Sequence, residues 1–147
     1  MKILIAVDGS EHSLDAVHHA LSLVRAGLRA SFVLAHVQEP ASLYELVTTR
    51  DPDLIAAAAR QAGMDLTAPA RVLLDAAAVE YTTDIRMGAV ANTLVDILEE
   101  TACDLALVGA RGLGGLRGAL LGSVSQALVH ESPVPVTIVK HAQEASS

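Results

Sequence analysis

Short apolar runs alternate with longer stretches of helical spacing along this chain, and this alternation restricts the folds open to it. One apolar run extends from Ile3 to Val7 and another from Phe32 to Val37. Continuous apolar runs are typical of strands that are covered on both faces, as in parallel sheets. Between them, the stretch from Glu11 to Ala26 carries apolar residues at helical spacing, with Ser10 predicted as the N-cap and Gly27 as the end of the helix. The pattern therefore predicts an α/β chain with helices packed on a sheet.

The rest of the chain continues the same alternation. Residues 80–86, 105–108 and 136–140 are predicted strands, and residues 91–100 and 123–130 are predicted helices. An Ala-rich helical region covers residues 51–79, where Gly63 and Pro69 predict two helical pieces or a kink. Residues 41–50 fit a loop or a short helix. With right-handed crossovers, this order predicts a doubly wound, open, parallel, five-stranded sheet with helices on both faces.

Composition narrows the class of protein further. The 147 residues fit one domain, expected over residues 1–141 with a disordered tail at 142–147. A net charge of −7 argues against a nucleic-acid partner, which needs a basic surface. No apolar run approaches the roughly 20 residues of a membrane span. Cys103 is the only cysteine, so no internal disulfide can form, and a cytoplasmic location is expected.

A glycine-rich segment joins the fourth predicted strand to the last predicted helix. Six of the ten glycines lie between Gly109 and Gly122. Such a loop at a helix N-terminus can collect a phosphate on backbone N–H groups. A lysine P-loop is excluded, because the only lysines are Lys2 and Lys140. A dinucleotide fingerprint is excluded as well, because its last glycine position is Arg117 and the loop does not follow the first strand.

The spacing that remains is Gly109-x2-Gly112-x9-Gly122-Ser123, which resembles the ATP-binding motif G-2x-G-9x-G-(S/T) of the universal stress protein family. The resemblance extends over almost the whole chain. It includes the opening Ile-Leu-Ile-Ala-Val-Asp-Gly-Ser, the second apolar run, Ile85-Arg-Met-Gly88 and Ser132-Pro-Val-Pro-Val136. It implies the strand order 3-2-1-4-5 of a Rossmann-like, adenine nucleotide alpha hydrolase-like fold.

The resemblance also implies which residues contact the nucleoside. Asp8, at the end of the first strand, would face the nucleoside, and Val37 would present its backbone to the adenine edge. Ala6 would line the same pocket. From the residues alone, Asp8 can also be interpreted as the residue that forms the turn before Gly9.

The phosphates would be held on the other side of this pocket. The resemblance implies that Gly109 and Gly112 let the chain approach the ribose and phosphates. Arg111, Arg117, backbone dipoles or a bound divalent ion would then balance the phosphate charge. Ser123 can also act simply as the N-cap of the last helix. The residues expected to hold the phosphates at that helix start are Gly122, Ser123, Val124 and Ser125.

The resemblance implies an ATP-binding regulatory or signalling protein of the stress response. Mg²⁺ or Mn²⁺ would travel with the triphosphate, and the last strand, Val134 to Lys140, would form a homodimer. Hydrolysis is expected to be slow at most and no catalytic residue is assigned, because no general base for water is evident. The alternatives are a true ATPase or nucleotidyl transferase, and a nucleotide-free dimeric interaction module.

The histidines do not predict a metal site. His12, His18 and His19 lie on one predicted helix, but no HExxH motif or cysteine partner accompanies them. His36 is expected to be a packed strand residue, and Cys103 a small buried one.

Overall fold

Strands and helices alternate along the part of the chain that the structure, a computed structural model, describes: residues 1–40, 51–110 and 122–141. We number these elements in chain order. Strands β1 to β5 are Lys2–Ala6, Ser31–Gln38, Tyr81–Met87, Leu105–Gly109 and Val136–Val139. Helices α1 to α4 are Glu11–Arg25, Pro52–Ala76, Val90–Glu100 and Ser123–Glu131. The predictions for residues 41–50 and for the tail 142–147 lie outside the described residues.

The five strands form one parallel sheet in the order β3-β2-β1-β4-β5. This confirms the predicted doubly wound fold and its strand order. Strand β1 is central, so Ala6 is paired with Ala35 of β2 on one side and with Val108 of β4 on the other. The chain order reverses between β1 and β4, and this is the point where sheets of this type bind ligands.

Two aliphatic cores cover the two faces of the sheet. Alternate residues of β1 face opposite sides, so Ile3 and Ile5 pack with α1 and α2, whereas Leu4 and Ala6 pack with α3 and α4. Residues 3–5 of β1 are fully buried. Burial on both faces explains why the strand is apolar at every position instead of at alternate ones.

Helix α1 begins and ends as its sequence predicts. Ser10 is the N-cap, and its hydroxyl oxygen accepts a hydrogen bond from the Ser13 N–H at 3.1 Å. At the other end, Gly27 has a φ of 112°, and the N–H of Leu28 donates to the carbonyl of Leu23. This is a Schellman ending, which needs the left-handed conformation that glycine adopts readily.

Helix α2 is continuous, which corrects the prediction of two helical pieces, while the alternative of a kink stays a prediction. It is a single helix over Pro52–Ala76 that includes both Gly63 and Pro69. Gly63 is buried, and a Cβ at this position would collide with the side chain of Ile85 in β3. The glycine therefore permits close packing of the helix on the sheet and does not end the helix. Near the proline, the side chains of Thr67 and Arg71 donate to carbonyls of the preceding turn. No helix in the described part of the chain has both the length and the apolar character to cross a membrane.

Candidate functional site

The candidate site is the crevice expected beyond the carboxyl ends of β1 and β4, where the order of the strands reverses. The pairing of these strands ends at Ala6 and Val108. Beyond that point, Val7 donates its N–H to the carbonyl of Ala35 in β2 at 3.0 Å, while Gly109 remains paired with Val139 of β5. These contacts link the two chain segments to their outer neighbours, and among the described residues the pairing of β1 with β4 does not extend beyond Ala6 and Val108. This is the switch point at which open α/β sheets bind ligands.

The turn after β1 is held by Asp8. Its Oδ1 accepts a hydrogen bond from the N–H of Ser10 at 2.9 Å, which closes the turn into α1. Gly9 has a φ of 89°, and Leu66 of α2 occupies the space that a Cβ would need. The turn-forming role of Asp8 is thus confirmed, while its contact with a nucleoside stays a prediction.

The start of α4 lacks a side-chain cap. Gly122 is the N-cap, and Ser123 is the first residue of the helix, so the interpretation of Ser123 as the cap is wrong. Because glycine has no side-chain acceptor, the N-cap residue makes no side-chain hydrogen bond to the N–H groups of the first turn. An uncapped helix start offers these N–H groups and a partial positive charge to an anion.

Two short hydrogen bonds fix the start of α4 against the end of β4. The Ser125 hydroxyl donates to the carbonyl of Gly109 at 2.7 Å, and both residues are buried. The N–H of Gly122 donates to the carbonyl of Ala110 at 2.7 Å. The Ser125 hydroxyl proton is therefore used within the protein, and the group this residue can turn toward an anion is its backbone N–H.

The other side of the crevice is lined by buried small and aliphatic residues. Ala6 and Val37 are 8% and 7% exposed, and both belong to the core on the α3 and α4 side. Next to Val37, the ring of His36 is buried as predicted, with Nδ1 2.8 Å from the carbonyl oxygen of Val7 and Nε2 3.0 Å from Oε1 of Gln38. Because a carbonyl only accepts, Nδ1 is the donor, and His36 ties β2 to the end of β1. The sequence gives no signal for this contact.

Arg86, near the end of β3, forms ion pairs with two carboxylates of the protein. Arg86 bonds to Asp84 through Nε at 2.9 Å and to Glu100 through Nη2 at 2.5 Å. The hydrogen bonds that Arg86 donates to Asp84 and, to a smaller extent, to Glu100 raise the pKa of Arg86 above its usual value. Arg111 and Gly112, which were predicted to meet the phosphates, lie outside the described residues.

Three potential metal ligands also converge at this edge. One nitrogen each of His12 and His141 and a carboxylate oxygen of Asp15 lie within 4.8 Å of one another. In the sequence His12 stands with the other histidines of α1, but the structure places it beside His141, which follows β5. No local motif could have indicated a contact between such distant positions.

Proteins of similar sequence and similar fold are known. The model of the Universal stress protein family matches residues 1–140. Universal stress protein MJ0531 of Methanocaldococcus jannaschii is 28% identical over 139 residues, which cover 95% of this chain and 81% of the relative. Among solved structures, that of the hypothetical protein MJ0577 aligns with a TM-score of 0.79 at 20% identity, over 97% of each chain. The crystal structure of a universal stress protein in complex with cAMP aligns with a TM-score of 0.66 at 26% identity, over 95% of this chain and 96% of that one.

Proposed function

This chain belongs to the universal stress protein family, and we propose that it is an ATP-binding, cytoplasmic member that acts in the stress response as a nucleotide-dependent regulatory or signalling protein. One observation carries the proposal. The uncapped start of α4 is fixed to the end of β4 at the switch point of the sheet, by the bond from Ser125 to Gly109. This is a preorganised place for a phosphate group.

The phosphates would contact backbone groups on the α4 side of the crevice. The N–H groups of Ser123, Val124 and Ser125 are the first of the helix and would point at them. The glycines Gly109, Gly112 and Gly122 of the motif would permit close approach, and Arg111 would add positive charge. Mg²⁺ or Mn²⁺ would be held chiefly by the phosphate oxygens, because the described residues of the turn from β4 to α4 include no carboxylate.

The adenosine would lie on the β1 and β2 side. Ala6 supplies a small apolar wall, Val37 would present its backbone to the adenine edge, and Asp8 follows β1 where the ribose would lie. The complex of cAMP with a protein 26% identical to this chain supports an adenine nucleotide as the ligand. We propose ATP as the ligand, and not a monophosphate, because the glycine spacing resembles that of the family's ATP-binding motif.

Turnover is expected to be slow at most, and we assign no catalytic residue. Hydrolysis needs a base that positions water, and the Asp8 carboxylate is already an acceptor for the Ser10 N–H. The competing function is an ATPase or nucleotidyl transferase on the same fold. Phosphate release at saturating ATP and Mg²⁺ separates the two: rapid multiple turnover would favour the enzyme.

Isothermal titration with ATP and Mg²⁺ tests the binding proposal. We expect saturable binding in the micromolar range, and a loss of affinity of about tenfold or more in Gly122→Val, whose side chain would project over the helix start. The backbone of Gly122, with φ −71° and ψ 162°, is open to valine, so the fold should persist. Ser22→Ala, on α1, is the matched control and should bind like the parent. Absence of heat at high micromolar ATP would favour the nucleotide-free interaction module instead.

We also propose a homodimer through the last strand, Val134 to Lys140. Strand β5 is an edge that pairs with β4 alone, and its residues are half-buried. The carbonyls of Pro135 and Val139 accept hydrogen bonds from β4, so the N–H of Val136 faces outward. Proline at position 136 should therefore block pairing with a second copy while leaving the sheet intact.

Light scattering after size exclusion tests this dimer. The parent should have the mass of two chains, and Val136→Pro the mass of one with an unchanged circular dichroism spectrum. Thr137→Pro is the contrasting variant, because its N–H faces β4 and its fold should be damaged. A folded Val136→Pro protein that remains dimeric would exclude β5 as the interface.

A further inference from the structure

His12, Asp15 and His141 come together from two separate parts of the chain. His12 and Asp15 lie in the first turns of α1, three residues apart and therefore on one face of the helix. His141 follows β5 by two residues. Its Nδ1 lies 2.8 Å from Oδ2 of Asp15, and Nδ1 of His12 lies 3.9 Å from the same oxygen. The two imidazole rings meet edge to face with their centroids 4.6 Å apart.

The surrounding structure holds together the parts of the chain that carry these side chains. The Ser10 cap sets the start of α1, and α1 packs against β4 and β5. At the end of β5, the carbonyl of Val139 accepts a hydrogen bond from the N–H of Ala110 at 2.9 Å, which holds the strand end beside β4. The three ligands are thus carried by two elements that pack together, which limits the entropy lost when an ion is bound.

The spacing of the ligand atoms suits a tetrahedral ion. With bonds of about 2.0–2.1 Å, two ligands of a tetrahedral Zn²⁺ are about 3.4 Å apart. The measured separations of 2.8 and 3.9 Å lie on either side of that value. The two imidazole nitrogens lie within 4.8 Å of each other, so side-chain shifts of about an ångström would bring all three atoms to the tetrahedral spacing and admit an ion in place of the hydrogen bond between Asp15 and His141.

The chemistry of the ligands selects the class of ion. Two imidazole nitrogens and one carboxylate oxygen suit Zn²⁺ and neighbouring first-row ions, whereas Mg²⁺ and Ca²⁺ prefer oxygen ligands alone. Asp15 is largely covered, with 14% of its side chain exposed, while His12 and His141 are 38% and 51% exposed. The ion could therefore enter from solvent and keep water as its fourth ligand.

We propose that His12, Asp15 and His141 form a site for one divalent transition-metal ion, with Zn²⁺ the best match. The site is separate from the metal that would accompany a nucleotide, because its ligands are protein side chains of α1 and of the chain after β5. The positive end of the α1 dipole opposes a cation there, and Glu11 and Asp15, both near the start of the helix, offset it.

Equilibrium dialysis of the tag-free protein against Zn²⁺ tests the site, with bound zinc measured by mass spectrometry. We expect one equivalent in the micromolar range and a loss of affinity of about tenfold or more in Asp15→Asn and in His141→Ala. His18→Ala and His19→Ala remove imidazoles of the same helix outside the cluster, and they should bind zinc like the parent. Circular dichroism establishes that each variant is folded.

Co²⁺ gives a second measurement that does not depend on affinity. A tetrahedral site should produce visible d–d bands that Zn²⁺ abolishes, that a large excess of Mg²⁺ leaves unchanged, and that the His141→Ala variant lacks. Zinc binding that stays as tight in Asp15→Asn and His141→Ala as in the parent would overturn the proposal. So would the absence of saturable binding, which would leave the contact as a simple anchor of the chain after β5. Either result can be obtained whether or not the protein binds ATP.

Discussion

Loss of the Ser125 hydroxyl provides the sharpest test of how the candidate site is built. In Ser125→Ala, the 2.7 Å hydrogen bond to the Gly109 carbonyl disappears, and both residues are buried. A buried carbonyl deprived of its donor costs about 1–3 kcal/mol. For a chain of this length, that loss lowers the melting temperature by roughly 3–10 °C. Because the bond fixes the start of α4, the affinity for ATP should fall together with the stability.

Ser22→Ala is the matched control for this experiment. The Ser22 hydroxyl also donates to a carbonyl at 2.7 Å, that of His19, but within α1 and in a partly exposed position. Its acceptor keeps the backbone hydrogen bond of the helix, so we expect a loss of no more than about 0.5 kcal/mol. Both variants replace serine by alanine in a helix, which makes the propensity terms similar. Urea unfolding followed by circular dichroism measures both, and equal stability of the two variants would refute the reasoning.

Three further results are expected. Gly9→Ala should lose about 1–3 kcal/mol in urea unfolding, because its φ is 89° and Leu66 occupies the place of the new Cβ; unchanged stability would contradict this close approach. Burial raises the pKa of the Cys103 thiol, which is 5% exposed, so Ellman's reagent should react slowly until the protein is unfolded, and fast reaction of the native protein would show that the thiol is accessible. Chelation of Mg²⁺ should weaken ATP binding more than AMP binding in calorimetry, because the net charge of −7 opposes a polyanion; equal effects on the two ligands would argue against a metal on the triphosphate.

The centre of the sheet could be predicted because its strands, β1, β2 and β4, consist almost entirely of apolar residues. Residues 3–5 of β1 are apolar and fully buried, which is the pattern of a strand covered on both faces. The caps of α1 were also readable, since Ser10 and Gly27 act through local backbone geometry. An apolar strand and a helix cap depend on residues that are neighbours in the sequence, so both can be recognised from the sequence itself.

Features that depend on distant contacts were not predictable. Gly63 was interpreted as a break in α2, yet its meaning comes from Ile85 on another element, against which the helix packs without a side chain between them. His12 and Asp15 lie on one helix, but His141, the third member of the cluster, comes beside them only after β5 has been added to the sheet. In both cases the deciding atom belongs to a segment far away in the sequence.

The polar side chains along the crevice are mostly used to hold its backbone in place. Asp8 closes a turn, His36 ties two strands together, and Ser125 anchors α4. Groups already bonded in this way have less capacity for a ligand, so recognition of a nucleotide would rest largely on the backbone N–H groups at the start of α4. A site of that kind is sensitive to bulk more than to the loss of a side chain. We therefore expect Gly122→Val, which adds atoms over the N–H groups, to weaken ATP binding more than Ser123→Ala, which leaves those groups in place.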